Sequence, residues 1–242
     1  MNLIVDIGNS FIKAAVVEND NVLALNRYAS VGEFAQSGVL AQYPLLRRAI
    51  VASTGVSTFE VAELLRQWGL DVLEMTQQTA VPIGNAYLTP ETLGVDRLAA
   101  AVGAVAQYGE DCVIVDFGSA ITIDMVQGGV FLGGNISPGM EMRFRALHDY
   151  TKRLPKCGST EEILLLGRTT KEAIEQGVMQ GITNEIEGYI SRFYAKNVKL
   201  AIIFTGGDAE CFVKRIKNAI FAKCNLVIYG LNRILEYNAT IE

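Results

Sequence analysis

The sequence predicts an α/β protein of two lobes, each built from a mixed sheet flanked by helices. The main observation is an internal repeat: residues 4–10 read IVDIGNS, and residues 114–120 read IVDFGSA. A repeat of this kind is typical of duplicated supersecondary structure. The chain has 242 residues, 50% of them hydrophobic, which is enough for two separate cores. The repeat predicts a boundary near Glu110, with lobes at residues 1–110 and 111–242.

The first lobe is predicted to begin with an antiparallel meander of short strands. Apolar runs predict strands at residues 3–5, 12–17, 22–25, 49–52 and 72–74. Residues 57–60 read STFE, a capping box that predicts a helix with Val61, Leu64, Leu65 and Trp68 on one face. Residues 82–90 are loop-like in composition, and the alanine-rich residues 93–108 predict a packed helix.

The second lobe repeats this order of elements. Its predicted strands are residues 113–115, 121–126, 130–132 and 200–204, with a loop at residues 133–135. Ser137 and Pro138 favour the start of a helix, as N-cap and first helical residue. Residues 169–172 read TTKE, a second capping box that predicts a long helix toward Ala195. Residues 229–237 predict a closing helix.

Composition narrows the classes of partner and site. The net charge is −5 and there is no basic block, so nucleic-acid binding is not indicated. The cysteines, Cys112, Cys157, Cys211 and Cys224, form no CxxC pair, which favours buried thiols in a reducing compartment over zinc or disulfide chemistry. The N-terminal residues do not resemble a signal peptide, and no apolar run approaches the ~20 residues that span a bilayer. We expect a cytoplasmic protein without a nucleic-acid or membrane partner.

Residues 6–13 form the first candidate site. Gly8 gives the turn conformational freedom, and successive backbone amides in such a turn can bind an anion. Ser10 adds a hydroxyl donor and Lys13 a cation, whereas Asp6 would repel a bare phosphate and is expected to hold hydrated Mg²⁺. One such turn alone is better explained as a simple hairpin. Its recurrence at residues 116–119 favours a pair of phosphate-binding turns.

Three further segments carry alternative interpretations. Asp116 is either a cation ligand or a cap for its own turn. Residues 205–208 read TGGD after a predicted strand, which suits an adenosine pocket and, equally, a tight connection with Asp208 as N-cap. Asp96 and Arg97 are on composition alone a helix cap and its salt-bridge partner. If they face a cleft, Asp96 can act as a general base, and the Arg97 guanidinium beside it can bind a carboxylate.

As an ordered set, these motifs resemble the acetate kinase, sugar kinase, heat-shock ATPase and actin superfamily, and within it the type III pantothenate kinases. The motifs are residues 6–10, 94–97, 116–120, 133–139 and 205–208. The resemblance covers essentially the whole length and implies two ribonuclease H-like lobes, the duplication of actin-like ATPases. It also implies ATP-dependent phosphorylation of pantothenate, the first step of coenzyme A synthesis, by a homodimer.

The resemblance further implies the role of each matching residue. Asp96 matches the proton acceptor, Asp116 the ligand of an activating potassium or ammonium ion, and Mg²⁺ accompanies ATP. The matching ATP-binding residues are Asp6, Ile7, Gly8, Asn9, Ser10, Phe11, Ile12, Lys13 and Ser119. The matching pantothenate-binding residues are Tyr87, Gly94, Val95, Asp96, Arg97 and Thr170, the last near the dimer interface.

Some positions depart from the family's usual pattern. Ser10 and Ser119 each replace a common threonine but keep its hydroxyl, so phosphate contacts should survive with a less constrained side chain. Phe117 stands where a small residue is frequent, and the sequence offers no reason for it.

Two other functions also fit the motifs. The first is another small-molecule kinase of the superfamily, because an acceptor pocket is built from scattered side chains. The second is a non-catalytic regulator, since some relatives were first described as accessory factors for transcription. Asp96, Arg97 and Asp116 argue against the regulator, as does the lack of a basic patch.

Overall fold

The computed structural model describes residues 1–8, 11–55, 57–194, 200–216, 220–221 and 225–241. The chain divides into two compact units, one of Met1–Gln107 with Leu226–Glu242 and one of Tyr108–Asn225. Each unit is a mixed sheet with helices, as the sequence predicts for the fold class. The prediction placed all of residues 111–242 in the second lobe, whereas the structure groups the last helix with the first unit.

The first unit is built on a five-stranded sheet in the order β3-β2-β1-β4-β5. Its strands are β1 (Asn2–Ile7), β2 (Ile12–Glu18), β3 (Asn21–Tyr28), β4 (Arg48–Ser53) and β5 (Asp71–Glu74). Strand β1 pairs antiparallel with β2 and parallel with β4, and all of its residues are buried. This central position explains why β1 reads as a nearly continuous apolar run, since both faces of the strand are covered. A short strand, β6, follows at Gly84–Asn85.

Helices complete the first unit. They are α1 (Val31–Ala35), α2 (Val39–Gln42), α3 (Phe59–Gln67), α4 (Val95–Tyr108) and, at the end of the chain, α8 (Leu226–Ile241), with a 3₁₀ turn at Pro90–Thr92. Helices α4 and α8 pack closely, because Gly103 lies against Leu226 and Gly230, and Gly230 lies against Ala99. The alanine-rich face predicted for α4 is therefore confirmed as a packing face.

The second unit contains a sheet with the strand order β11-β10-β7-β8-β9. Its elements are β7 (Cys112–Phe117), β8 (Ala120–Gln127), β9 (Val130–Pro138), α5 (Met140–Asp149), α6 (Thr170–Tyr194), β10 (Ala201–Thr205), α7 (Ala209–Val213) and β11 (Ile220–Phe221). Strands β7, β8 and β9 form an antiparallel meander, while β10 runs parallel to β7. The order of strands around β7 therefore repeats the order around β1, as the repeated motif predicts.

Phe117 has a structural explanation that the sequence did not give. Its side chain is 1% exposed and stacks on Phe212 of α7 at 4.9 Å between ring centroids. The edge of Phe204 on β10 completes the cluster at 5.1 Å. A large ring at this position packs α7 against the sheet. Aromatic contacts of this kind stabilise the packing beyond the contribution of apolar burial.

Two of the predicted helix starts are wrong. Ser57 was expected to cap α3, but the N-cap is Thr58, and the Ser57 hydroxyl accepts from the Phe59 amide at 3.2 Å. Thr58 donates to Glu74 on β5 at 2.5 Å, and this bond replaces the capping geometry. Pro138 was expected inside α5, but it is the last residue of β9, and Gly139 is the N-cap.

The predicted loop at residues 133–135 is also wrong, because these residues belong to β9. Gly133 has a φ of 122°, and the β8–β9 register shifts at Met125/Val126. Gly134 lies against the carboxylate and backbone of Asp124, whose side chain is buried. The glycines therefore serve a bulge and a close approach within a strand, rather than a loop.

Among the described residues, no helix has both the length and the apolar character needed to cross a membrane.

Candidate functional site

The first candidate turn joins β1 to β2 in the first unit. Asp6 pairs with Lys13 across the two strands, and Ile7 pairs with Ile12. The amide of Gly8 donates to the carbonyl of Phe11 at 3.1 Å, which closes the turn. Asn9 and Ser10, both predicted to bind ATP, lie outside the described residues. Phe11 is half-exposed at the tip, while Ile7 and Ile12 belong to the core and anchor the turn.

Asp6 is a buried carboxylate held by a partly exposed lysine. Its side chain is 10% exposed, and its Oδ2 lies 3.5 Å from Nζ of Lys13. Burial raises the pKa of Asp6 above its usual value; Lys13 opposes this rise, and the carboxylate of Asp96 adds to it. Asp6 and Asp96 are therefore close enough to repel each other.

The second candidate segment of this unit is the start of α4. The carbonyl of Leu93, just before the helix, accepts a bond from Nε2 of Gln77 at 3.3 Å. Oδ1 of Asp96 folds back and accepts from the amide of Arg97 at 2.9 Å. At Gly94 an added Cβ would lie 2.5 Å from that same oxygen, so glycine leaves the room that the Asp96 carboxylate occupies. Val95 is buried and fixes the first turn of the helix.

Arg97 and Tyr87, both predicted to bind substrate, lie together. The guanidinium carbon of Arg97 is 5.7 Å from the centre of the Tyr87 ring, within the range of a cation–π contact. Arg97 is only 7% exposed, which is unusual for arginine. The amide of Tyr87 donates to the side chain of Asn85 at 3.0 Å and so fixes the loop that carries the ring. The structure thus places a buried guanidinium against the Tyr87 ring, in the residue that follows Asp96.

The second unit places Asp116 at the corresponding position, at the end of β7. Asp116 pairs with Thr122 on β8 and with Thr205 on β10. The amide of Gly118 donates to the carbonyl of Ala120 at 3.2 Å, as the Gly8 amide does to Phe11 in the first turn. In both units an aspartate therefore precedes a turn that a glycine amide closes, but the second turn is one residue shorter, because Ile7 pairs with Ile12 and Phe117 pairs with Ile121.

The turn at residues 205–208 lies directly against the Asp116 turn. Gly206 has a φ of 96°, and a Cβ there would collide with Oδ1 of Asp116 and lie 2.6 Å from backbone atoms of Phe117. The amide of Asp208 donates to the Phe117 carbonyl at 3.0 Å. Asp208 is the N-cap of α7, which was one of the two alternatives for this segment, but its side chain makes no capping bond. Burial raises the pKa of Asp208, and Glu141 adds to the rise.

Ser119 and Thr170 lie in different parts of the second unit. Ser119 is exposed in the β7–β8 turn, and its carbonyl accepts from the amide of Gly139 at 3.0 Å. Thr170 is the exposed first residue of α6. It lines a groove of about 860 Å³ between α5 and α6, next to Tyr150 and Ile174. Thr170 therefore belongs to the helical face of the unit, in the groove between α5 and α6.

Gly139 was not predicted as a site residue, although it contacts the second turn directly. It lies so close to the carbonyls of Gly118 and Ser119 that a Cβ would collide with both. The signal was present in the sequence, since Pro138 and Gly139 end the 133–139 motif. Proline is also typical of the first position of a helix, so the sequence around Pro138 favours a helix start and does not single out Gly139.

The chain was compared with protein families, curated proteins and solved structures. The type III pantothenate kinase family matches residues 2–192. The type III pantothenate kinase of Phocaeicola vulgatus is 39% identical over 240 residues, which are 98% of this chain and 99% of the relative.

Two solved structures show the same fold at low sequence identity. A conserved Campylobacter jejuni protein assigned to the Baf family of transcriptional activators has a TM-score of 0.65 at 23% identity, covering 98% of this chain and 99% of that one. A Sinorhizobium meliloti protein assigned as a 2-dehydro-3-deoxygalactonokinase has a TM-score of 0.59 at 14% identity, covering 98% and 99%. The predicted fold, that of the sugar kinases and their actin-like relatives, is confirmed. By sequence, this chain belongs to the type III pantothenate kinase family.

Proposed function

We propose that this protein transfers the γ-phosphoryl group of ATP to the primary hydroxyl of pantothenate, giving 4'-phosphopantothenate, in the first step of coenzyme A synthesis. One observation carries the proposal beyond family membership. In the first unit, Asp96 is close enough to Asp6 to raise its pKa, while Arg97 lies against the ring of Tyr87. The residues proposed as base, phosphate-binding turn and substrate-binding cation thus all belong to the first unit.

Asp96 is the proposed general base. The pantothenate hydroxyl oxygen forms a bond to the γ-phosphorus, the bond from that phosphorus to the bridging oxygen breaks, and ADP leaves. Asp96 orients the hydroxyl and takes its proton. Phosphoryl transfer of this kind depends mainly on alignment and charge neutralisation. The hydrogen bond that the Arg97 amide donates to the Asp96 carboxylate supports the proposal, because it fixes the direction of the carboxylate.

Arg97 and Tyr87 are proposed to bind pantothenate. The substrate is a carboxylate, and a guanidinium offers paired donors that match a carboxylate. The Tyr87 ring and the surrounding burial restrict the rotation of Arg97, so little side-chain freedom is lost on binding. Gly94 and Val95 hold the backbone of this segment in place.

The phosphates of ATP are proposed to bind the two turns. The ATP segment runs from Asp6 to Lys13, including Asn9 and Ser10, and Ser119 adds a hydroxyl from the second turn. Lys13 carries a charge that complements phosphate and is 42% exposed at its side chain, so it can move to a ligand. Mg²⁺ fits beside Asp6, since a buried carboxylate with a like-charged neighbour gains most from a bound cation. When bound, Mg²⁺ supplies charge neutralisation on the phosphates.

Asp116 is proposed to hold the activating potassium or ammonium ion. The Asp116 carboxylate is partly exposed and can therefore contact an ion. Backbone atoms of Gly206 and Phe117 lie beside it. At Gly206 the absence of a side chain lets the backbone lie against the Asp116 carboxylate. A bound monovalent cation supplies further positive charge.

We also infer a homodimer in the cytoplasm. Thr170 is proposed to contact pantothenate near the interface between subunits, and the groove it lines has apolar walls. Exposed apolar side chains follow one another before α6: Ile163, Leu165 and Leu166 are 63%, 87% and 77% exposed. Such a patch favours contact with another protein surface. The cytoplasm supplies the ATP that the reaction consumes.

ATP consumption with a panel of acceptors tests the proposal. We expect ADP formation with pantothenate in potassium or ammonium buffer, and little with sugars or other hydroxy acids. Turnover with a different acceptor would instead favour another small-molecule kinase, and no turnover with any acceptor would favour a regulator. Full activity in sodium buffer alone would contradict the role of Asp116.

A further inference from the structure

Arg143, on α5, contacts the end of β9, which lies beside the second turn. Its Nε donates to the carbonyl of Pro138 at 2.7 Å, and one Nη donates to the hydroxyl of Ser137 at 3.2 Å. The same Nη lies 2.5 Å from a carboxylate oxygen of Glu185 on α6. The side chains of Arg143 and Glu185 are 21% and 24% exposed, so the pair is partly shielded from water. One guanidinium therefore joins the end of β9 to the long helix.

The end of β9 supports the proposed ATP-binding turn directly. Pro138 pairs with Ala120, and the amide of Gly139 donates to the carbonyl of Ser119 at 3.0 Å. Gly139 also packs on the backbone of Gly118 with no room for a side chain. Any movement of residues 138–139 must therefore displace the turn that carries Ser119.

We propose that Arg143 is a positioning residue for the second phosphate-binding turn. It holds Pro138 and Gly139 in place, and these in turn hold Ser119 toward ATP; Glu185 orients the guanidinium. The inference rests on the proposed function, because it assigns ATP binding to this turn. A planar guanidinium can bond to Pro138 and Glu185 at once, which the single ammonium of lysine does less well.

The competing interpretation is that Arg143 only joins α5 to α6. The two interpretations differ in what each partner contributes. If Arg143 only joins the helices, removing Glu185 should be as harmful as removing Arg143, and every kinetic constant should change together. If Arg143 positions the turn, the bond to Pro138 matters most, and ATP binding should be affected selectively.

The test measures KM for ATP and KM for pantothenate separately, together with Tm, in the full-length protein. For Arg143→Met and Arg143→Lys we expect KM for ATP to rise about tenfold, since a charge-assisted hydrogen bond is lost. KM for pantothenate should rise clearly less than KM for ATP, although Arg143 also lines the groove that contains Thr170. Glu185→Gln should raise KM for ATP less than about threefold, because the bond to Pro138 remains.

Arg145→Met is the matched control on the same helix. Arg145 is 65% exposed and pairs only loosely with Asp149, at 3.8 Å, so wild-type constants are expected. Equal changes in both KM values, an unchanged KM for ATP in a folded Arg143 variant, or a Glu185→Gln effect as large as that of Arg143→Met would overturn the inference. If the Met variant has a low Tm, Arg143→Lys decides the question. A wild-type protein that does not phosphorylate pantothenate would instead overturn the proposed function, and this inference with it.

Discussion

At the scale of single residues, Asp6 carries an electrostatic cost that no structural role explains. A carboxylate with 7% exposure, near a second carboxylate, is less favourable ionised in the folded protein than in water. Lys13 offsets only part of this cost, since burial remains the largest influence on the pKa of Asp6. Residues that weaken the fold in this way are typical of sites selected for activity.

The cost predicts that Asp6→Asn raises Tm at neutral pH while abolishing phosphoryl transfer. Because folding raises the pKa of Asp6, ionisation at neutral pH opposes folding, and the neutral amide removes that opposition. The gain in Tm of Asp6→Asn over the wild type should be largest at pH values above the raised pKa of Asp6. It should shrink as the pH falls through that pKa, because wild-type Asp6 then becomes neutral as well.

Thermal unfolding across a pH series measures this effect. Asp71→Asn is the control, since Asp71 is exposed on β5 and its replacement should leave Tm nearly unchanged. A variant Asp6→Asn that is less stable than the wild type at neutral pH would contradict the electrostatic argument.

Residue types and spacing were enough to predict which side chains carry charge in the site, but not how the side chains contact one another. Asp96 and Arg97 are neighbours in sequence, so their common position at a helix start could be predicted. The contact of Arg97 with Tyr87, and the stacking of Phe117 on Phe212, join residues on separate elements. Such contacts depend on packing between elements, which periodicity does not encode.

At the scale of elements, the capping boxes show why a local pattern is an incomplete guide. Residues 169–172 form the predicted box, with the Glu172 amide donating to the Thr169 hydroxyl at 3.2 Å. A similar arrangement begins α1, where the Glu33 amide donates to the Ser30 hydroxyl and the Glu33 carboxylate accepts from the Ala29 amide. The box at residues 57–60 does not form, because Thr58 bonds to Glu74 on a neighbouring strand. A tertiary hydrogen bond outweighs the local one there.

Two helical glycines with different surroundings are predicted to respond in opposite ways to replacement by alanine. Gly230 lies in the close contact of α8 with α4, whereas Gly188 lies on an open face of α6. Gly230→Ala should lower the free energy of unfolding by about 1–3 kcal/mol, because its methyl group has no room against Ala99. Gly188→Ala on α6 should raise it by about 0.5–1 kcal/mol, since nothing lies within 4 Å and alanine favours the helix. Urea unfolding measures both. A stabilised Gly230→Ala would mean that the two helices are not packed as described.

At the scale of the whole molecule, the exposed apolar patch before α6 predicts a dimer. We expect Leu165→Asp to shift the wild-type dimer toward monomer, because an unpaired charge in an apolar interface is costly. Leu45→Asp is the control, since Leu45 is 57% exposed in the first unit. Light scattering after size-exclusion chromatography measures the mass of each variant. A monomeric wild type, or a Leu165→Asp variant that remains dimeric, would contradict the prediction.

The organisation of the whole chain was only partly predictable. The repeated aspartate turns predicted two similar units, and both sheets follow that plan. The grouping of α8 with the first unit was not predictable, since no linker or change of composition marks it. It depends on tertiary contacts such as the buried bond from Asn2 to Asn232, at 2.8 Å, and the approach of Gly103 to Gly230.

Transfer of phosphoryl to pantothenate, with Asp96 as the base, is tested most directly with ATP labelled with ¹⁸O in its γ-phosphoryl group. Mass spectrometry of the products should show the label in 4'-phosphopantothenate for the wild type. For Asp96→Asn, product formation should fall about 100-fold or more while ATP binding persists. Label found only in inorganic phosphate, or near-normal phosphopantothenate formation by Asp96→Asn, would contradict the proposed reaction or the proposed base, respectively.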